Sequence, residues 1–125
     1  MALRHYLLEA ARWRAGDRAL DVILAHADLD TGPLAAMRDE LGGHVDGLVE
    51  RAVAAGAVRA DFASSDVYAY LYMVGAVVDR THDIAPGAWR RYAEVLLIGF
   101  GLEQAPTAHT SAMTDAQIRQ TWPRP

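Results

Sequence analysis

Histidines and carboxylates are the side chains of this 125-residue sequence that could bind a metal or transfer a proton. The five histidines are widely spaced, and none belongs to an HxxxH or HExxH pattern that would place two ligands on one helix face. The densest grouping is HADLD at 26–30, where Asp28 and Asp30 could join His26 around a cation. Because a turn before a helix that begins with proline also favours aspartates, we interpret this segment as a turn and predict no metal site.

Nucleophilic and cofactor-dependent catalysis finds little support in the sequence. There is no cysteine, no GxSxG pattern and no glycine-rich phosphate loop after a strand. Gly42, Gly43 and Gly47 fall inside a helical pattern, so they do not form a phosphate cradle. The sequence therefore predicts a protein that is not an enzyme and that carries no cofactor.

A set of large or polarisable side chains could instead bind a small apolar molecule. Methionine adapts to irregular apolar surfaces, and tyrosine adds a polar handle to an apolar ring. The candidates for lining such a cavity are Trp13, Met37, Leu41, His44, Tyr70, Met73 and Val74. For each of them, ordinary packing in the core is the alternative.

Helical periodicity must position these side chains, since no segment alternates in the manner of a strand. The pattern predicts helices over 2–15, 17–27, 33–56, 65–81 and 87–102, and a capped turn or short helix over 114–122. The expected fold class is all-α, a five- to six-helix bundle. Residues 1–102 form the predicted domain, and residues 103–125, with three of the five prolines, a loosely packed extension.

Composition and charge indicate the environment of the chain. Apolar residues make up 52% and the formal net charge is −4, with the arginines scattered. A phosphate backbone repels such a surface, so we expect no direct contact with nucleic acid. The N-terminus lacks the apolar run of a signal peptide, and no stretch is long enough to cross a bilayer. We expect a soluble cytoplasmic protein with no membrane contact.

The segment AAGAVRADFASSD at 54–66 ends one helical pattern and starts the next. Gly56 suits the left-handed position just after a helix, and Ser64 or Ser65 suits the cap of the following helix, with Asp66 in its first turn. Arg59 and Asp61 lie between the helices and could bridge the two, but local helix-end chemistry does not explain the pair.

Two of the predicted helices are apolar on more than one side. VYAYLYMVGAVV at 67–78 contains no charge, and VLLIGF follows at 95–100. A surface helix needs only one apolar face, so the second face predicts a partner subunit and a four-helix interface around a two-fold axis. The residues predicted for this dimer interface are Tyr68, Tyr72, Gly75, Ala76, Leu97, Ile98 and Gly101.

With these helices in place, ERAVAAGAVRADFASSDVYAYL at 50–71 and WRRYAEVLLIGFG at 89–101 resemble the C-terminal regulatory domain of TetR-family transcriptional regulators. The resemblance covers about residues 2–102. The matching residues are Ala52, Ala55, Gly56, Arg59, Asp61, Asp66, Val67, Trp89, Arg91, Tyr92, Leu96, Leu97 and Gly99. The family pattern favours a capping residue at position 63. Because Ala63 departs from it, we expect the cap at Ser64 instead.

This resemblance implies a homodimer formed by the last two helices and an effector pocket enclosed by the preceding bundle. Family members begin with a helix-turn-helix domain of about 50 residues, which does not precede Met1 here, so operator DNA would be contacted only through that missing domain. The expected function is sensing of a small, mainly apolar molecule, coupled in an intact regulator to release of the operator. The alternative is a ligand-free helical module for dimerisation or protein interaction, and a small helical enzyme ranks third.

Overall fold

The computed structural model describes residues 2–16, 32–104 and 111–123. These residues form five helices, α1 (Ala2–Gly16), α2 (Gly32–Ala54), α3 (Ser64–Thr81), α4 (Trp89–Phe100) and α5 (Asp115–Gln120), and within them there is no strand. The all-α prediction is confirmed, and these helices agree with the predicted ranges to within about two residues at most ends. The helix predicted over 17–27 and the HADLD segment lie outside the described residues.

Helix α3 lies at the centre of the packing, in contact with α1, α2 and α4. Its buried side, Val67, Tyr70, Val74 and Val78, follows the spacing of a helix face that meets a core. Helix α1 buries one side chain per turn against it. The other core side chains are contributed by all the long helices and the connection after α2, and include Leu3, Leu7, Ala11, Val45, Leu48, Val49, Ala52, Val58, Phe62, Ala93 and Leu97.

One hydrogen bond fixes the register of α1 on α3. The Tyr70 hydroxyl, fully buried, donates to the Leu7 carbonyl over 2.9 Å. A buried hydroxyl without a partner would cost about 1–3 kcal/mol, so the core favours the one alignment that satisfies it.

Gly56 ends α2 with a left-handed residue, as predicted. Its φ is +67°, its amide donates to the Val53 carbonyl and the Ala57 amide donates to the Ala52 carbonyl, each over 3.0 Å. This pair of bonds defines a Schellman motif, which satisfies helix-end carbonyls and turns the chain. Val58 then enters the core.

The connection from α2 to α3 is attached to the end of α4. The Arg59 amide donates to the Phe100 carbonyl over 2.9 Å, and the Phe62 and Phe100 rings meet edge to face with centroids 5.0 Å apart. The side chains of Arg59 and Asp61 do not form the bridge between helices that the sequence left open. Their side chains pair with each other, at 3.2 and 3.1 Å, because the turn between them brings the guanidinium alongside the carboxylate.

The start of α3 also differs from the prediction that a serine caps it. Ala63 occupies the N-cap in extended conformation, and Asp66 Oδ2 accepts its amide over 2.9 Å. Ser64 is the first helical residue, and its hydroxyl instead donates to Asp46 Oδ1 on α2 over 2.5 Å. The helix begins one residue earlier than a cap at Ser64 would allow and two earlier than a cap at Ser65, and the N-cap residue, alanine, has no side-chain acceptor.

The C-terminal segment is attached by polar contacts. Glu103, just after α4, pairs with Arg4 of α1. The short helix α5 is capped by Thr114, whose hydroxyl accepts the Gln117 amide, so the helix alternative holds for this segment. Arg80 donates to the Thr121 carbonyl over 3.1 Å, while α5 packs against none of the other described helices.

Candidate ligand-binding cleft

An open cleft of about 910 Å³ lies between α1, α2 and α3. This volume is within the range of small-molecule sites in proteins. Helix α1 provides residues of one face, spaced by three or four, and α3 provides the facing wall. The described lining consists of Tyr6, Glu9, Ala10, Trp13 and Arg14 from α1, Leu41 from α2, and Leu71, Tyr72, Gly75, Ala76 and Asp79 from α3.

Aromatic rings stand on two sides of the cleft. Trp13 of α1 is 65% exposed and Tyr72 of α3 is 75% exposed, although both are large and mainly apolar. Large exposed side chains that share one concave surface are candidates for contact with a bound molecule. The two residues therefore provide apolar area to a molecule in the cleft.

One wall of the cleft is formed by an ion pair seated on a glycine. Arg14 Nη2 lies 3.0 Å from both carboxylate oxygens of Asp79. A Cβ at Gly75 would lie 3.0 Å from Arg14 Nε and 3.3 Å from Nη2, so a larger residue would force the guanidinium to shift by a few tenths of an ångström. The i, i+4 spacing of Gly75 and Asp79 thus places a platform and an acceptor for one arginine on the same helix face.

Two further α1 residues with polar groups, Glu9 and Tyr6, line the cleft. Glu9 Oε1 accepts from Arg12 over 2.9 Å. The Tyr6 ring meets His44 edge to face, with centroids 5.8 Å apart. Burial, and secondarily the neighbouring Tyr68, raise the pKa of Tyr6 above its ordinary value, so its hydroxyl stays protonated and neutral at neutral pH.

A family model for the C-terminal domain of SbtR-like transcriptional regulators, within the TetR family, matches residues 1–102. The match spans every helix that builds the cleft and most of the chain. The chain belongs to this family. Comparison with curated proteins and with solved structures gives no match.

In this SbtR-like domain the predicted ligand contacts separate into three groups. Trp13 and Leu41 line the cleft, and His44 lies behind it against Tyr6. Tyr70 and Val74 are buried in the core and do not reach the described lining. Met37 and Met73 are exposed but lie outside that lining.

The predicted dimer residues also separate. Tyr72, Gly75 and Ala76 line the cleft within one protomer. Leu97 is fully buried in the protomer core, so it offers no surface to a second copy. The other three remain partly or fully accessible: Tyr68, Ile98 and Gly101. Periodicity did not predict that these residues of α3 line a cleft, because the position of α1 was not part of the pattern.

Six cleft residues of the SbtR-like domain escaped prediction, the four with polar groups, Tyr6, Glu9, Arg14 and Asp79, and the apolar Ala10 and Leu71. A signal for the first three exists, since with Trp13 they follow a single face of α1. Asp79 has no such signal, because it sits at a helix end where a solvated carboxylate is ordinary. Its role depends on Arg14 lying across Gly75.

Other kinds of site were also sought in the described parts of the domain. Nowhere in residues 2–16, 32–104 and 111–123 do three metal-ligating side chains come together. No described helix is both long enough and apolar enough to span a membrane.

Proposed function

We propose that this SbtR-like domain is the effector-sensing and dimerising part of a TetR-like transcriptional regulator. The cleft between α1, α2 and α3 is the observation that carries the proposal. It combines a suitable volume, exposed Trp13 and Tyr72 rings and a few fixed polar groups, which are the properties of small-molecule sites. The effector would be small and mainly apolar.

Accessible apolar side chains on α3 and α4 support homodimerisation. Met73 of α3 and Val95 of α4 are exposed, and Ile98 is partly so, on two helices that pack against each other. Adjacent apolar side chains on paired helices favour burial against a symmetric copy, which would complete a four-helix interface. The proposed dimer surface therefore comprises Met73, Val95, Ile98 and the adjacent Gly99.

Coupling to DNA would follow from differential affinity. In an intact regulator of this family, a helix-turn-helix domain N-terminal to α1 reads the operator. Because α1 contributes to both the cleft and the core, a ligand that favours one placement of α1 would shift the population of the DNA-binding conformer. This role places the proposed regulator in the cytoplasm.

Native mass spectrometry of the purified chain tests both parts of the proposal. We expect an ion of twice the 13.6 kDa protomer mass, with additional mass where a copurified effector is retained. Extraction and mass determination of the retained compound would begin to identify it.

The alternative function is a ligand-free helical module for dimerisation or protein interaction. A dimer that never retains or binds a small molecule, in a screen of apolar and amphipathic compounds, would favour this alternative. A monomer at micromolar concentration would contradict the dimerisation proposal.

A further inference from the structure

The short helix α5 carries two large apolar side chains that remain accessible to solvent. Ile118 is 39% exposed and Trp122, four residues later, is 60% exposed. Isolated helices shorter than about 12 residues are marginal in water, and α5 has only six residues. Because α5 packs against none of the other described helices, its apolar side is available for a contact that would stabilise it.

A hydrogen bond holds α5 at the edge of the cleft. The Arg80 guanidinium of α3 donates to the carbonyl of Thr121, the C-cap of α5, over 3.1 Å. Arg80 follows the cleft residue Ala76 by four positions, so the two lie on the same side of α3, about 6 Å apart along its axis. Trp122 comes directly after the held carbonyl and is therefore attached about one helical turn from the cleft wall.

The part of the wall nearest to this attachment is apolar and open. Tyr72 is 75% exposed, and Ala76, one turn further along α3, is also exposed. Both residues line the cleft, and they are four residues apart, as are Ile118 and Trp122. Two apolar stripes of equal length, one on each helix, can therefore pack side by side and leave water together.

A segment of the same chain has an advantage over a separate molecule at this wall. The bond from Arg80 already holds α5 beside it, which gives the apolar side of α5 a high effective concentration there. A separate molecule would lose translational and rotational freedom on binding. For α5, burial requires only that the helix turn about its attachment at Thr121.

We propose that α5 is a lid of the cleft, which closes when Ile118 and Trp122 pack against Tyr72 and Ala76. The arrangement described above is the open state, in which all four side chains meet solvent. In the closed state the lid occupies the α3 wall, so the lid and an effector compete for the cleft. This regulatory consequence rests on the proposed effector-binding function, whereas closure is measured without any effector.

Disulfide formation measures closure directly, because the chain contains no cysteine of its own. In the double variant Ala76→Cys, Ile118→Cys, closure brings the two α-carbons within the roughly 7 Å that a disulfide allows, and Trp122 is retained. After mild oxidation of the full chain, we expect both free thiols to be lost at the protomer mass of 13.6 kDa.

The matched control is the double variant Glu50→Cys, Ile118→Cys. Glu50 is exposed on α2 and lies outside the cleft lining, so both thiols of this variant should stay free. Equal rates of disulfide formation in the two double variants would show a segment that moves without a preferred contact and would overturn the lid.

Trp122→Ala tests whether apolar packing drives closure. Added to the Ala76→Cys, Ile118→Cys chain, it should slow disulfide formation about tenfold, because the largest side chain of the lid is removed. Gln120→Ala, at an exposed polar position of the same helix, should leave the rate unchanged. An unchanged rate in the Trp122→Ala chain would overturn the packing of this residue on the wall.

The mass of the oxidised product separates the lid from an arm exchanged between two copies. A disulfide-linked product of twice the protomer mass would show that α5 covers the cleft of a second copy, and would overturn closure within one chain. Thiols that stay free in the Ala76→Cys, Ile118→Cys chain would overturn closure altogether. Native mass spectrometry of the parent chain decides the proposed function independently of these results.

Discussion

At the scale of single residues, two glycines and one tyrosine determine how the helix ends and the core fit together. Gly56 and Gly101 both take left-handed conformations, with φ of +67° and +88°, at the ends of α2 and α4. These two ends meet, since the Arg59 amide donates to the Phe100 carbonyl. The AAG segment at 54–56 and the GFG segment at 99–101 thus lie where the C-terminal ends of α2 and α4 meet.

Gly56→Val should lower the free energy of unfolding by about 1–3 kcal/mol, because a β-branched residue is strained at this φ although open space surrounds the position. Urea denaturation measures the change. The control is Gly43→Ala in the exposed middle of α2, which should raise stability by about 1 kcal/mol. Unchanged stability in Gly56→Val would contradict the left-handed helix end.

Tyr70→Phe should cost about 1 kcal/mol, because it removes the buried hydroxyl that donates to the Leu7 carbonyl. Tyr72→Phe is the matched control, since that hydroxyl belongs to an exposed ring, and its stability should equal that of the parent. Equal losses in the two variants would argue against the α1–α3 register described above.

The same tyrosine predicts a pH dependence at alkaline pH. Burial raises the pKa of Tyr70 above its ordinary value of about 10, so the folded chain keeps a proton that the unfolded chain loses. Its contribution is therefore complete below about pH 10 and declines as pH rises further. Denaturation between pH 9 and 11 should show a steeper fall for the parent than for Tyr70→Phe, and parallel profiles would contradict the assignment.

At the scale of elements, α3 has three sides with different roles. Val67, Tyr70 and Val74 enter the core, Tyr72 and Gly75 face the cleft, and Met73 remains exposed. This division explains why the segment 67–78 carries no charge: all three environments accept apolar residues. An uncharged segment of this kind predicts that the helix is buried on several sides. It does not say which side packs in the core, which lines the cleft and which stays exposed.

Ala63→Ser should stabilise α3 by about 1 kcal/mol, because Ala63 holds the extended N-cap conformation without a side-chain acceptor. Asp66 already accepts the Ala63 amide, so the serine would complete a capping box. Thermal unfolding measures the gain. Ala69→Ser, within the exposed part of the same helix, should instead cost a few tenths of a kcal/mol.

At the scale of the whole molecule, the proposed dimer depends on surfaces that one protomer leaves uncovered. Leu97 cannot test it, because a charge at this fully buried position would disrupt the protomer core before any interface. Val95 and Met73 are exposed and lie on adjacent helices. Charged substitutions at these two exposed positions would therefore test dimer assembly without disrupting the protomer core.

The double variant Met73→Glu, Val95→Glu should be monomeric at concentrations where the parent is dimeric, since two unpaired charges per copy would be buried. Its helicity should match the parent by circular dichroism. Analytical ultracentrifugation measures the mass, and Trp122→Glu on the exposed C-terminal segment is the control. A dimeric double variant would place the interface elsewhere.

The sequence by itself determined the helical class, the ends of the long helices and the left-handed Gly56, because periodicity and helix-end chemistry are local. It also carried the family motifs in their order. Ser64 shows the limit of such reasoning, since its bond to Asp46 on α2 depends on a residue far along the chain.

Tertiary structure alone decided which side of α3 faces the cleft. Arg14 comes to lie on Gly75 and to pair with Asp79, 65 residues away, only when α1 packs against α3. Tyr70 and Leu97 are likewise assigned to the core by the helices that surround them. Several sides of these helices are apolar, so the pattern permits more than one packing, and the placement of α1 and α4 selects among them.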